Sequence, residues 1–529
     1  MLSRKVKILA ISLFLMGILV SLTGLCIASN IVRYSSDWPP SIDPAVGSEV
    51  ESVTAQVNLF DPLIFPDTEG NFLPHVAKSW DVSSDGLAYT FYLRAGVKFH
   101  NGSELTAEDV KFSMDRLLTI GEGVAYLWLG NIKEAEVIDK YTVAFNMEKP
   151  FGPFISTLPS FFIVNKGLIM ENIKPGIYGE MGDYGKEYVS TNDVGSGPYM
   201  IKDFSRAEYL LMEKNPDYFL DISSAPDEFQ MIGSTEPVLI KTLMAKQELE
   251  MTNRWLSPET LESLAKIEGV EVARWRSSSE DYITMNVRKP PLDDIHLRKA
   301  LAWAFDYDAA VKLVPGSIQA RGPVPLTVPG SDPNGFQYYR NLERAKLELK
   351  QSKYYGHFDE YPMECQWNDS PSQEKDAMLL MANAAEIGLT VNVVETTWSL
   401  ICSDSASIEK TPHFHIVGDE ARYPEAGALL QARYHSVTAG TWEQTEWLLD
   451  SVFDEMIDDA FATIDKDERF AKYREASRYI VDLCPSIFLL ETPECRAYQA
   501  AYMDWPAAKG EVIQGFKYDN CIRFIKLNP

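Results

Sequence analysis

The sequence is short of cationic side chains and of catalytic signatures. It holds 49 Lys and Arg against 76 Asp and Glu, a formal charge of −27. Holding a phosphate backbone takes clustered Lys and Arg, so nucleic-acid binding is set aside. Cysteine is scarce, with six in 529 residues and no CxxC pair, which leaves a zinc ribbon or a thioredoxin-like site without support. Five of the six lie beyond residue 28, so at least one thiol stays unpaired. One or two disulfides remain open, with no connectivity readable from spacing. There is no HExxH and no GxSxG; Gly195-Ser196-Gly197-Pro198 shares only letters with the latter. Gly185-Lys186-Glu187 lacks the Ser or Thr that a phosphate loop needs for magnesium. We therefore expect a binding protein with no catalytic step and no cofactor. Beyond the first thirty residues no apolar run is long enough to cross a bilayer.

What is present begins with a targeting pattern. Arg4, Lys5 and Lys7 precede an uncharged apolar run over residues 8–22, and small residues follow at Ala28 and Ser29. This is the form of a secretory signal peptide over residues 1–28. A retained membrane anchor is the alternative, and Cys26 raises lipidation, although Leu25 stands where such sites want a small residue. The expected place is outside the cytoplasm, in the periplasm or on the outer face of the cell membrane. The length predicts two or three domains.

Residues 87–93 are rich in β formers and bounded by Asp85-Gly86 and Gly96, which predicts a strand entered by a turn. A second short strand is expected at Val97-Lys98-Phe99, ending at Asn101-Gly102. Thr106 with Asp109 three residues on reads as a capping box, opening a helix with Val110, Met114 and Leu117 or Leu118 on one face.

The stretch from Pro74-His75-Val76-Ala77-Lys78-Ser79-Trp80 through Tyr89-Thr90-Phe91-Tyr92-Leu93-Arg94-Ala95-Gly96-Val97-Lys98-Phe99-His100-Asn101-Gly102 to Arg116 closely resembles the signature of family 5 extracellular solute-binding proteins. These are the peptide- and nickel-type receptors of ABC importers. Further marks follow in order: Ile42-Asp43-Pro44, Phe60-Asp61-Pro62-Leu63, Gly195-Ser196-Gly197-Pro198-Tyr199, Asn215-Pro216-Asp217-Tyr218-Phe219 and Arg298-Lys299-Ala300-Leu301. The closing helix and strand of the family are matched by residues 473–489.

The resemblance implies an α/β, two-lobed periplasmic-binding-protein-like fold with an extra inserted subdomain in the first lobe. On that pattern residues 30–65, 195–290 and 505–529 form the core of lobe I. Residues 66–194 form the insert, and 291–504 form lobe II. The implied partners are ABC permease and ATPase subunits and a small-molecule or peptide ligand, and a monomer is expected. Residues 81–118 read as scaffold, with Arg94 expected to pair with an acid.

The resemblance also implies a site. In peptide-binding members the stretch aligned with 418–427 carries an Asp that holds the ligand's α-amine. Here Arg422 stands in its place, beside Asp419, Glu420 and Tyr423. A guanidinium accepts no hydrogen bond and keeps its charge, so it suits a carboxylate, a phosphate or a chelate better than an ammonium. Asp419 or Glu420 could instead hold the amine or neutralise Arg422, and a register shift would leave Arg422 on the rim. Trp398 resembles a pocket tryptophan, with core packing as the alternative. Ser35 and Trp38 follow the opening strand, and Trp128 is a further candidate in the insert. His413 and His415 would share one face of a strand and could hold Ni²⁺ or Cu²⁺ weakly. The plainer reading is a solvent-facing pair beside Phe414. Ligand readings are an oligopeptide, a metal chelate drawing on Arg422 with His413, His415 or His435, or an oligosaccharide.

Overall fold

The computed structural model describes residues 30–368, 371–513, 515 and 518–528. The expected signal peptide and Cys26 lie outside these residues. Along the chain, β1 (Ile31–Ser36) opens the first lobe, and a helix follows at Val50–Leu59. A small hairpin, β2 (Ile64–Pro66) and β3 (Phe72–Pro74), leads into the insert. The insert sheet is antiparallel, made of β4 (Ala77–Val82), β5 (Ala88–Leu93), β6 (Ile132–Asp139) and β7 (Thr142–Met147) in the order β4-β5-β7-β6. β8 (Tyr199–Ser205), β9 (Tyr209–Lys214) and β10 (Glu228–Gly233) return to β1 and give the sheet β1-β10-β9-β8, with β1 parallel to β10.

The chain then enters β11 (Glu271–Met285), a 15-residue strand that pairs antiparallel with the late strand β16 (Ser486–Tyr498). Between them come β12 (Ile318–Gln319), β13 (Met363–Asn368), β14 (Val391–Thr396) and β15 (Phe414–Glu420). The second lobe has the sheet order β12-β16-β11-β15-β13-β14. β11 and β16 each run from one lobe into the other. Their ladder breaks register between Arg276 and Glu280 and again between Asp281 and Tyr282. Bulges bend and twist a strand pair locally, so the two crossing strands are irregular where the lobes meet.

The sequence motifs resolve into scaffold. Asp61 accepts from Ser196 Oγ (3.0 Å) and Tyr218 Oη (2.8 Å) and lies 2.7 Å from His75 Nε2, so four separate motifs converge on one buried carboxylate. Gly195 and Gly197 have no room for a side chain, because a Cβ on either would strike the backbone of Leu59. Arg116 in the insert helix forms a bidentate pair with Asp43, at 2.7 and 2.5 Å, and ties the insert to lobe I. That helix is Ala107–Ile120, opened by the expected Thr106/Asp109 capping box. Val110, Met114 and Leu117 are buried on its inner face.

Two local expectations change. Residues 97–99 form no strand but a single bridge, Lys98 with Glu104, because the Asn101-Gly102 turn closes too tightly for a ladder to extend. Among the described residues Arg94 pairs with no acid; its Nε donates to the His75 carbonyl at 2.6 Å. All five cysteines among the described residues are free thiols.

Candidate functional site

Strand direction locates the cleft. β13 is parallel to β14 and β15, so their carboxyl ends share one edge of the lobe II sheet. β15 ends at Glu420, opposite Ser279 of the crossing strand, so that edge faces lobe I. β1 is bridged to Met251 in parallel, and Met251 to Tyr498 of β16 in antiparallel. β1 therefore ends towards lobe II, with Asp37 and Trp38 following it. The gap between two sets of strand carboxyl ends is where open α/β sheets bind ligands.

Arg422 follows β15 and reaches into this gap. Its side chain is 34% exposed, and its Nη2 lies 3.4 Å from Asp419 Oδ1 and 3.6 Å from Glu443 Oε1. Its charge is felt by the phenol of Tyr126, which comes from the insert: burial raises the Tyr126 pKa and Arg422 pulls it back down. Tyr126 is 52% exposed while lying deep among protein atoms, as expected of a ring on a cleft wall. Burial pushes the Glu443 carboxyl up to about 7, Asp419 adds to the rise, and Arg422 opposes it.

Behind this cluster, Arg433 is fully buried over the Tyr282 ring, 4.0 Å from its centroid. It lies 3.2 Å from Glu280 and 3.5 Å from Asp419. Burial raises the Glu280 pKa to about 8, and the paired Arg433 pulls against that rise.

On the lobe I side, Arg254 bridges the gap to Glu420 at 3.2 Å and to Glu494 of β16 at 3.6 Å. Its guanidinium lies 5.0 Å from the ring of Trp255, which is 62% exposed. Nearby, the Glu51 pKa is raised first by burial and further by Asp37, with Trp255 and Arg254 opposing the rise.

The predicted residues fare differently. Asp419 and Glu420 join the ion pairs just described. Trp398 is 42% exposed beyond the carboxyl end of β14 and packs edge-on against Trp442, with centroids 5.0 Å apart. Trp38 is partly buried and meets Phe204 edge-on at 5.1 Å. Ser35 is buried, and its Oγ accepts from the Asn253 backbone N–H at 3.2 Å. Tyr423 is buried, with a hydroxyl that finds no hydrogen-bond partner among the described residues.

Trp128 is corrected: it is fully buried, donates to Thr157 Oγ1 at 2.8 Å and packs on Phe161, so it fills the insert core. The cleft ring is Tyr126, two residues earlier. His413 is also corrected as a ligand. It accepts from the Glu364 N–H (3.1 Å) at Nδ1 and lies 3.1 Å from the Pro290 carbonyl at Nε2, so both ring nitrogens are engaged. His415 is buried, and burial lowers its pKa to about 3. Among the described residues no group of three His, Cys, Asp or Glu could hold a metal ion.

Arg254, Trp255, Tyr126, Trp442 and Glu443 escaped the sequence reading. The one local signal was aromatic and charged residues side by side, in Arg254-Trp255 and Trp442-Glu443.

Two lobes joined by a pair of crossing strands, with charged and aromatic side chains converging from both, define a ligand-enclosing binding fold. Residues 71–441 match the family model for bacterial extracellular solute-binding proteins, family 5, and the chain belongs to that family. It is 25% identical over 472 residues to the probable D,D-dipeptide-binding periplasmic protein DdpA of Escherichia coli, covering 86% of each chain. In fold it is similar to the substrate-binding protein CtaP of Listeria monocytogenes (TM-score 0.83, 20% identity, 95% of this chain and 100% of that one). It is likewise similar to NikZ of Campylobacter jejuni, solved with Ni(L-His) (TM-score 0.78, 19% identity, 94% and 100%). No helix among the described residues is long and apolar enough to cross a membrane.

Proposed function

We propose that this chain is the extracytoplasmic receptor of an ABC importer, capturing a small polar, oligopeptide-type solute between its lobes and presenting it to permease and ATPase subunits. The observation that carries the reading is a convergence of side chains. Exposed aromatic rings and ion-paired groups from both lobes meet at the carboxyl ends of parallel strands. The peptide class rests on the relatives, among them dipeptide- and di/tripeptide-binding proteins at 24–27% identity.

Closure works through differential affinity. A ligand shifts open to closed only by binding the closed form more tightly, and a swing from 1:99 to 99:1 takes about 5.5 kcal/mol. Enclosure strengthens each polar contact by excluding water. Import energy comes from ATP hydrolysis outside this chain, and residues 1–28 serve as signal or anchor. The division we propose keeps 30–65, 195–290 and 505–529 as the lobe I core, 66–194 as the insert and 291–504 as lobe II, amended so that residues 279–285 of β11 count with lobe II and residues 493–498 of β16 with lobe I. β11 and β16 act as the hinge.

A nickel chelate has the fold neighbour in its favour, but His413 and His415 have their ring nitrogens engaged or buried. Calorimetry of the refolded, ligand-stripped protein against di- to tetrapeptides tests the reading. Binding at micromolar or better supports it, and silence across the series contradicts the peptide class.

A further inference from the structure

Arg422 looks, from sequence, like an anchor for an anionic group. Its surroundings argue otherwise. Asp419 reaches it from its own turn, three residues back. Glu443 reaches it from a separate segment, next to Trp442, whose ring packs on Trp398. The second carboxylate is therefore brought in by tertiary structure rather than by chain proximity. Behind them the buried Arg433 shares Asp419 and faces Glu280. Two guanidinium groups thus meet three carboxyl groups. Across the gap Arg254 is bracketed by Glu420 and Glu494. No guanidinium in these clusters stands without a carboxylate.

We propose that Glu443 determines the charge selectivity of the cleft: with Asp419 it balances Arg422, so the site admits solutes that present an uncharged or cationic group there and excludes those that present an anion. An anionic group approaching Arg422 has to displace a carboxylate or be repelled by two. An amide, hydroxyl or ammonium meets no such barrier, since Arg422 keeps spare N–H donors and the carboxylates accept. Glu443 and Arg422 are both part-exposed at 22% and 34%, so the pair is open to the cleft and not locked in the core. Glu443 is a specificity residue for the same site as the proposed function, and the inference rests on that reading.

The test uses three forms of one tripeptide: N-acetyl-Ala-Ala-Ala amide, which is uncharged (the amide), N-acetyl-Ala-Ala-Ala, which differs from it by a single carboxylate (the acetylated form), and Ala-Ala-Ala. Each is titrated calorimetrically into the full chain and into Glu443→Gln, which keeps size and removes charge. The wild type is expected to bind the amide at least about tenfold more tightly than the acetylated form, about one decade for one misplaced charge. Glu443→Gln is expected to cut that preference about tenfold by strengthening the acetylated form. A wild type that binds the acetylated form as tightly as the amide overturns the proposal, and so does a ratio that Glu443→Gln leaves unchanged. If none of the three binds either protein while both stay folded by circular dichroism, the peptide reading fails and the proposal falls with it.

Discussion

Ser156→Ala should weaken every ligand by the same factor. Ser156 belongs to the insert, and its Oγ donates to Glu425 Oε1 of lobe II at 2.5 Å, with both residues buried. The Gly152 N–H donates to the Phe461 carbonyl at 2.7 Å beside it, and Phe151 meets Phe461 edge-on. Glu425 is fixed within its own lobe by Arg469, at 2.7 and 2.9 Å, and by the Tyr473 hydroxyl. Opening the lobes therefore costs the Ser156 bond but leaves Glu425 in place. A hydrogen bond to a charged group contributes about 1.5–3 kcal/mol. The latch requires that this bond break on opening; its loss then lowers the closed population and should cut affinity roughly ten- to hundredfold. Calorimetry over several ligands is the assay. The rank order should be preserved, since Ser156 is part of the lobe contact and not of the proposed ligand wall. A loss confined to some ligands, or no loss, would refute the latch.

Other outcomes follow from the same geometry. Trp128→Ala should destabilise the chain by about 3–5 kcal/mol in denaturant unfolding, as a large buried ring is removed, whereas Tyr126→Ala should change ligand affinity with little effect on unfolding. Thermal stability should fall as pH rises from about 4.5 to about 8. Glu280 and Glu446, both raised to about 8 by burial, hold protons in the folded state that the unfolded chain has already released. Glu446→Gln should flatten that slope, which differential scanning calorimetry across pH can read. His413→Ala and His415→Ala should leave any Ni²⁺ binding unchanged in equilibrium dialysis, and a loss in either variant would contradict the ring-nitrogen accounting.

The scaffold was more legible in the sequence than the site, for a physical reason. Turn and cap chemistry is local: Thr106 and Asp109 are three residues apart and cap the helix as their spacing predicts. The family motifs carried the fold because each supplies one partner of a fixed contact, as with Asp61 and Arg116. The site is assembled from distant segments. Nothing near residue 422 signals that Glu443 will come to balance Arg422, or that Arg254 will reach Glu420 across 166 positions. Trp128 and Tyr126 differ by two positions, and only the packing of the insert decides which ring is inside. The expected shared strand face does not form: His415 lies in β15 but His413 precedes it, and their partners come from residues 290, 364 and 366.

Native mass spectrometry of the freshly purified chain tests the central claim most directly, because a solute enclosed between lobes survives gentle purification. The account predicts a fraction carrying one small non-covalent solute per chain. That fraction should shrink when Trp398 and Arg422 are both replaced by Ala. A solute fraction that persists undiminished in that double variant would contradict an interlobe site.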